Sequence, residues 1–147
     1  MVYKDSTTSV IVKNKKKTMD LLRYLTDSCD GKRYKIVDIG GQIWMTENLA
    51  YKTNSGCWAY DHDQTNVTKY GYLYNWKTAK TVCPQGWHLP DKDEFWALLR
   101  YFGSAYVELL RDGESGFSTL FGGGRYYVGG DSEIGEKAYF WSSSLEL

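Results

Sequence analysis

The spacing of apolar positions changes character several times along the chain, and each change marks an element. Residues 1–28 hold a β-branched run, Ser9-Val10-Ile11-Val12, then lysines at 13, 15, 16 and 17, then Met19, Leu22 and Leu25 toward one side of a short helical repeat. This stretch reads as a leader, distinct from the rest of the chain. After Asp30-Gly31 the period shortens, with apolar-rich runs over residues 34–39 and 42–45 on either side of Gly40-Gly41. Two consecutive glycines between strands suit a primed hairpin turn, whose central residues both need positive φ. From residue 52 to 69 polar and turn-forming residues dominate, which predicts an irregular loop holding Cys57, Trp58, Asp61, His62 and Asp63. Leu73, Trp76 and Ala79, with the stem of Lys80, recur at helical spacing. That helix must stop at Val82-Cys83, because Pro84 cannot continue it.

The sharpest local signature begins at Asp91. Its carboxylate can cap the orphan amides of a helix, Glu94 completes a capping box, and Phe95, Leu98, Leu99 and Phe102 follow the i, i+3, i+4, i+7 pattern up to Gly103. A helix over 91–102 is predicted. Beyond it, residues 117–120, 122–127 and 138–143 read as short strands separated by glycine loops. The order hairpin, helix, helix, short strands predicts an α+β fold.

A chain of 147 residues is one domain's length. Eighteen Lys and Arg against eighteen Asp and Glu leave no net charge, so nothing steers it toward nucleic acid or an acidic membrane. No apolar run is long enough for a membrane span, and residues 18–28 are amphipathic where a signal peptide would be apolar. Thirteen Tyr, six Trp and fifteen Gly describe a loop-rich protein presenting flat amphipathic side chains on permissive backbone. Such a surface suits sugars and peptides. The three cysteines, Cys29, Cys57 and Cys83, cannot all pair with one another.

Several ordered motifs resemble those of the Fibrobacter succinogenes major paralogous domain: Ile43-Trp44-Met45-Thr46-Glu47-Asn48-Leu49, Tyr70-Gly71-Tyr72-Leu73-Tyr74-Asn75-Trp76, Cys83-Pro84-Gln85-Gly86-Trp87-His88-Leu89-Pro90, Gly116-Phe117-Ser118 and Phe140-Trp141-Ser142-Ser143. The resemblance spans about residues 30–144. That family is typically carried by exported or lipoprotein-anchored proteins of Bacteroidetes and Fibrobacteres, and it implies an extracellular or cell-surface location. A more distant similarity joins Trp76, Ala79, Cys83, His88 and Leu89 to C-type-lectin-like folds, which include formylglycine-generating enzymes and receptors diversified by retroelements. It implies two helices packed on short antiparallel strands with long irregular loops, and ligand binding through loops near the last strands. In both groups the cysteine at Cys83 commonly pairs with one in a final strand, and a partner for Cys57 is often found near residue 66 or 67. This chain has neither partner. The domain over residues 29–147 is therefore expected to lack its final strand or to fold without those bridges. Losing a native disulfide costs about 2–5 kcal/mol, which a homodimer could restore.

The chemistry-bearing residues are few. His62 and His88 are far apart, with no His-x-x-x-His or Cys-x-x-Cys pair, so no metal site is expected. His88 reads as a hydrogen-bonded turn residue, and Asp61-His62-Asp63 as a solvated loop. The chain has no Glu-Pro-Asn loop, and Trp141 is followed by Ser142-Ser143, which argues against calcium-dependent sugar binding of the lectin kind. Asp112, Glu114, Asp131 and Glu133 read as loop acids. There is no Gly-x-Ser-x-Gly elbow, Gly122-Gly123-Gly124 lacks the Lys-Ser/Thr of a phosphate loop, and no cysteine follows Cys83 to support formylglycine-type chemistry. No enzyme activity and no cofactor are expected. What is left is an aromatic and polar set, Arg125, Tyr126, Tyr127, Asp131, Tyr139, Trp141 and Ser142, with the physics of sugar or peptide recognition; Trp141 alternates with Phe140 on a predicted strand and is set aside as core, which leaves six candidates. Trp44, Trp76, Trp87, Trp96 and Trp141 are expected in the core. The sequence thus predicts a non-catalytic extracellular module binding a glycan or protein through residues 111–139, the alternative being an assembly domain of a larger surface protein.

Overall fold

The structure, a computed structural model, describes residues 3–4, 23–103, 106–110 and 115–144. In chain order it has strands β1 (Tyr3–Lys4), β2 (Arg23–Thr26), β3 (Arg33–Ile39), β4 (Gln42–Met45) and β5 (Cys57–Trp58), then helix α1 (Gln64–Tyr70) and strand β6 (Leu73–Tyr74). Helices α2 (Trp76–Ala79) and α3 (Lys92–Phe102) and strands β7 (Gly122–Arg125) and β8 (Asp131–Ile134) follow, with 3-10 turns at Tyr60–His62 and Tyr106–Leu109. They make a small α+β domain: a four-stranded antiparallel sheet in the order β1-β4-β3-β2, two two-stranded antiparallel ribbons, β5-β6 and β7-β8, and three helices.

The hairpin forms where the glycines predict it. Ile39 pairs with Gln42 across Gly40 and Gly41, whose φ values are 62° and 86°. Both faces of this hairpin are covered, since neighbours Trp44 and Met45 point to opposite sides and are each 0% exposed. On one face Trp44 and Ile39 meet Leu98, Leu109 and Phe117, with Phe95 and Phe102 packed alongside. The Trp44 ring lies 5.7 Å from Phe95 and 5.7 Å, edge-on, from Phe117. On the other face Met45 and Tyr34 meet Leu49 and Trp87.

Helix α3 follows its local code. Asp91 Oδ1 accepts the Glu94 amide at 2.8 Å, Glu94 Oε2 accepts the Asp91 amide at 2.8 Å, and Gly103 ends the helix. Trp96, expected in the core, is 53% exposed. It follows Phe95 by one residue, about 100° around the helix, so it cannot share the inward face.

Elsewhere the architecture departs from the pattern. Leu25, expected on a helix, lies on β2 and pairs with Tyr34. Met19, Leu22, the β-branched run and the lysine patch lie outside the described residues. The predicted loop at 52–69 contains β5, a 3-10 turn and all but the last residue of α1, which Asp63 caps by accepting the Thr65 amide and hydroxyl, both at 2.8 Å. The helix predicted through residue 83 is one turn long. Leu73 belongs to β6, and Asn75 starts α2 by accepting the Thr78 amide at 2.9 Å. The strand expected at 117–120 reduces to one bridge, Leu110 to Thr119, and that at 138–143 to one bridge, Gly123 to Ala138.

Among the described residues no helix is long and apolar enough to cross a membrane. All three cysteines are free, Cys29 exposed and the other two half-buried. Burial pushes the Cys83 thiol up to about 11.

Candidate functional site

Tyr70 at the end of α1, Tyr72, and Leu73 and Tyr74 of β6 line one cavity of about 420 Å³. Tyr126, Tyr139, Phe140 and Trp141 line it too, as do Gly122–Arg125 and Glu133. The glycines permit close approach. A Cβ on Gly123, whose φ is 65°, would stand 2.4 Å from the Ser132 carbonyl oxygen and 2.8 Å from the Tyr60 ring. A Cβ on Gly124 would meet the Tyr139 ring at 3.0 Å.

The segment carrying Phe140 and Trp141 is fixed by pins to distant backbone in place of a strand ladder. Trp141 Nε1–H donates to the Tyr74 carbonyl at 2.6 Å, and Trp76 Nε1–H donates to the Ser142 carbonyl at 2.9 Å. The Ser143 amide donates to the Pro90 carbonyl and the Lys92 amide to Ser144 Oγ, each at 2.9 Å. Trp141, expected in the core, is 49% exposed. Its indole N–H is tied down and its ring forms cavity wall, a division suited to an amphipathic side chain.

A backbone partition borders one side. Asn48 Nδ2 donates to the Tyr70 carbonyl at 2.9 Å, and the Tyr72 amide donates to the Leu49 carbonyl at 3.0 Å. Between them Gly71 has φ 71°, and a Cβ there would lie 2.6 Å from the Leu49 oxygen and 2.8 Å from Asn48 Cβ. Only glycine fits. Beyond lies a second cavity of about 400 Å³, lined in part by Lys32, Arg33, Glu47, Lys69 and Gly71, and sharing Asn48 and Leu120 with the first.

The six residues singled out in the sequence divide into two groups. Arg125, Tyr126 and Tyr139 line the first cavity. Tyr127 is fully exposed at the apex of the β7-β8 hairpin, in a turn closed by the Gly129 amide donating to the Tyr126 carbonyl at 3.0 Å. Asp131 and Ser142 serve the scaffold. The Asp131 side chain is 1% exposed, with Oδ1 2.7 Å from Arg125 Nη1 and Oδ2 accepting the Asp61 amide at 2.6 Å. Arg125 also lies over the Trp58 ring, 5.1 Å from its centroid. Ser142 Oγ accepts the Ser144 amide at 3.1 Å. Asp112 and Glu114 lie outside the described residues.

Glu133 is the one carboxylate in the first cavity's described wall. It holds a left-handed backbone, φ 64°, and accepts from Lys137 Nζ and Tyr139 Oη. The hydrogen bond from Lys137, then that from Tyr139, keeps its carboxyl below the usual range, and the same bond to Glu133 raises the Tyr139 phenol. Burial raises the phenols of Tyr72 and Tyr74; Tyr74 Oη donates to the Tyr51 carbonyl at 2.6 Å. His88 meets Glu94 at 2.8 Å in the turn before α3, and His62 is exposed with φ 58°. Among the described residues no group of three His, Cys, Asp or Glu side chains is placed to hold a metal ion.

Sequence reasoning missed Tyr70, Tyr72, Tyr74, Asn48 and Phe140, and weighed Trp141 as a surface residue before assigning it to the core. The alternation of tyrosines through Tyr70-Gly71-Tyr72-Leu73-Tyr74 was the available signal, a period of two. No curated protein and no solved structure matches the chain. The family model for the Fibrobacter succinogenes major domain does match, over residues 37–146. That span takes in the α3 face of the core, the Asn48–Gly71 partition and every described residue of the aromatic cavity wall, and it shows that this chain belongs to the Fibrobacter succinogenes major domain family.

Proposed function

We propose that the domain is a non-catalytic recognition module, displayed outside the cell, that binds a glycan in the aromatic cavity. The observation that carries this reading is the convergence of seven aromatic side chains on one cavity, Tyr126, Tyr139 and Trp141 among them still largely open to solvent. A volume of about 420 Å³ falls within the size of small-molecule sites, roughly 300–1,000 Å³. Aromatic faces offer contact area at low entropic cost, while Arg125, Glu133 and the glycine backbone give polar groups for hydroxyls. A lone carboxylate tied to a lysine and a tyrosine supports binding over hydrolysis, which in most glycosidases uses two carboxylates. The order of Trp76, Cys83, His88-Leu89 and α3 supports a C-type-lectin-like fold, which a crystal structure of the domain would test by superposition.

A glycan array probed with the purified domain tests the reading, with Trp141→Ala and Tyr126→Ala variants beside it. Saturable binding lost in both variants is expected. Binding indifferent to both overturns the site, and turnover of a bound glycan overturns the non-catalytic role. Surface display is tested by protease shaving of intact cells. A second reading, an assembly domain of a larger surface protein, is favoured by Tyr127 and Val128, which stand exposed at the hairpin apex outside the cavity. It predicts a dimer by light scattering that Tyr127→Ala dissociates.

A further inference from the structure

We infer that the saccharide recognised here is acidic: its ring occupies the aromatic cavity while a sulfate or carboxylate substituent sits across the partition, against Arg33 and Lys69. This rests on the glycan-binding reading and adds the charge of the ligand.

The two cavities are neighbours by construction, because Asn48 and Leu120 line both. They differ in chemistry. The first is aromatic, whereas the second gathers Lys32, Arg33 and Lys69 in a chain whose net charge is zero. Glu47 is the one carboxylate in that second wall, and its Oε2 accepts the Lys35 amide at 2.9 Å. Lys32 is already engaged, by the Ala50 carbonyl and by Asp30 at 3.6 Å. Arg33 and Lys69 are different, since neither is in ion-pair reach of a carboxylate among the described residues. Each is instead laid on a ring, Arg33 at 4.2 Å from the Tyr24 centroid and Lys69 at 4.7 Å from that of Tyr70. Stacking restrains the side chains and leaves their N–H donors for an anion, and charge-assisted hydrogen bonds to sulfate or carboxylate are among the strongest available.

Tyr70 joins the two sites physically. Its ring carries Lys69, the residue lines the aromatic cavity, and its carbonyl is held by Asn48 in the partition.

The test is calorimetric titration of the domain with a heparin tetrasaccharide, its desulfated, carboxyl-reduced, N-acetylated counterpart, and inorganic polyphosphate. The variants are Arg33→Gln/Lys69→Gln, Trp141→Ala and Tyr126→Ala, with thermal midpoints as the folding control. The sulfated form is expected to bind about tenfold or more tighter than the desulfated form, to weaken with salt, and to lose that preference in the double variant. Both saccharides are expected to lose affinity in the two aromatic variants. Equal affinity for both forms, unchanged in the double variant, overturns the acidic ligand and leaves glycan recognition standing. Polyphosphate binding as tight as the tetrasaccharide and indifferent to Trp141→Ala and Tyr126→Ala overturns the straddling geometry. Failure of both saccharides to bind overturns the acidic ligand, while saturable binding on the glycan array keeps glycan recognition standing and its absence there overturns that reading too.

Discussion

Arg125 and Asp131 show how far a residue's neighbours decide its role. In the sequence they are two polar residues near tyrosines; in the fold they are an ion pair with one partner 1% exposed and a strained turn hanging from its second oxygen. Removing one member of a buried pair leaves the other charge uncompensated, at a cost of about 3–5 kcal/mol. Asp131→Ala is therefore expected to lower unfolding free energy by about 3 kcal/mol, whereas Tyr127→Ala, at an exposed apex, should change it by less than about 0.5 kcal/mol. Urea denaturation of the two variants checks both. Titration offers a second prediction. Burial raises the Cys83 thiol from 9.0 to about 11 and the Tyr34 phenol from 10.0 to about 12. Each group stays protonated in the fold while the unfolded chain has begun to lose its proton, so stability falls as pH climbs. The loss is expected to begin near pH 9 and to continue past pH 11, with Cys83→Ala removing its earliest part in a series of melts from about pH 7 to about pH 11.

Among the elements, those whose signals are local were legible. Helix α3 is set by Asp91, Glu94 and Gly103 within a dozen positions, and the β3-β4 turn by two adjacent glycines. Asp91→Ala should cost about 1 kcal/mol, read as a lower urea midpoint. Helix α1 carried the same grammar, an Asp63 cap and a Gly71 stop, but it is short and polar with Val67 as its one buried residue, so the polar composition outweighed the caps. The segment at 138–144 was illegible for a different reason. Its hydrogen bonds reach Tyr74, Trp76, Pro90 and Lys92, dozens of positions away, and no local spacing announces such partners. Tyr72 and Tyr74 were a readable strand signal, whereas Tyr70 ends helix α1; that all three line a cavity was not legible, because the rest of the lining comes from the distant β7 and Trp141.

Across the molecule, the α+β class followed from element order, and the core from the hairpin and α3 meeting face to face. The bridges common in similar domains do not hold this one together: their partner cysteines are missing from the sequence, and its three cysteines are free. Dithiothreitol is accordingly expected to leave the thermal midpoint of freshly purified protein unchanged; a midpoint that drops on reduction would show a covalent link that this fold does not contain. The wall between the two cavities has a wider consequence. It stands on two peptide carbonyls, a peptide amide, one asparagine and a residue without a side chain, so the groups that face outward from it carry none of its weight. Such a wall works like a window frame, in which panes can be exchanged one at a time while the opening keeps its shape. Sister domains built on the same frame could address unlike ligands by substitution alone, with no need to refold.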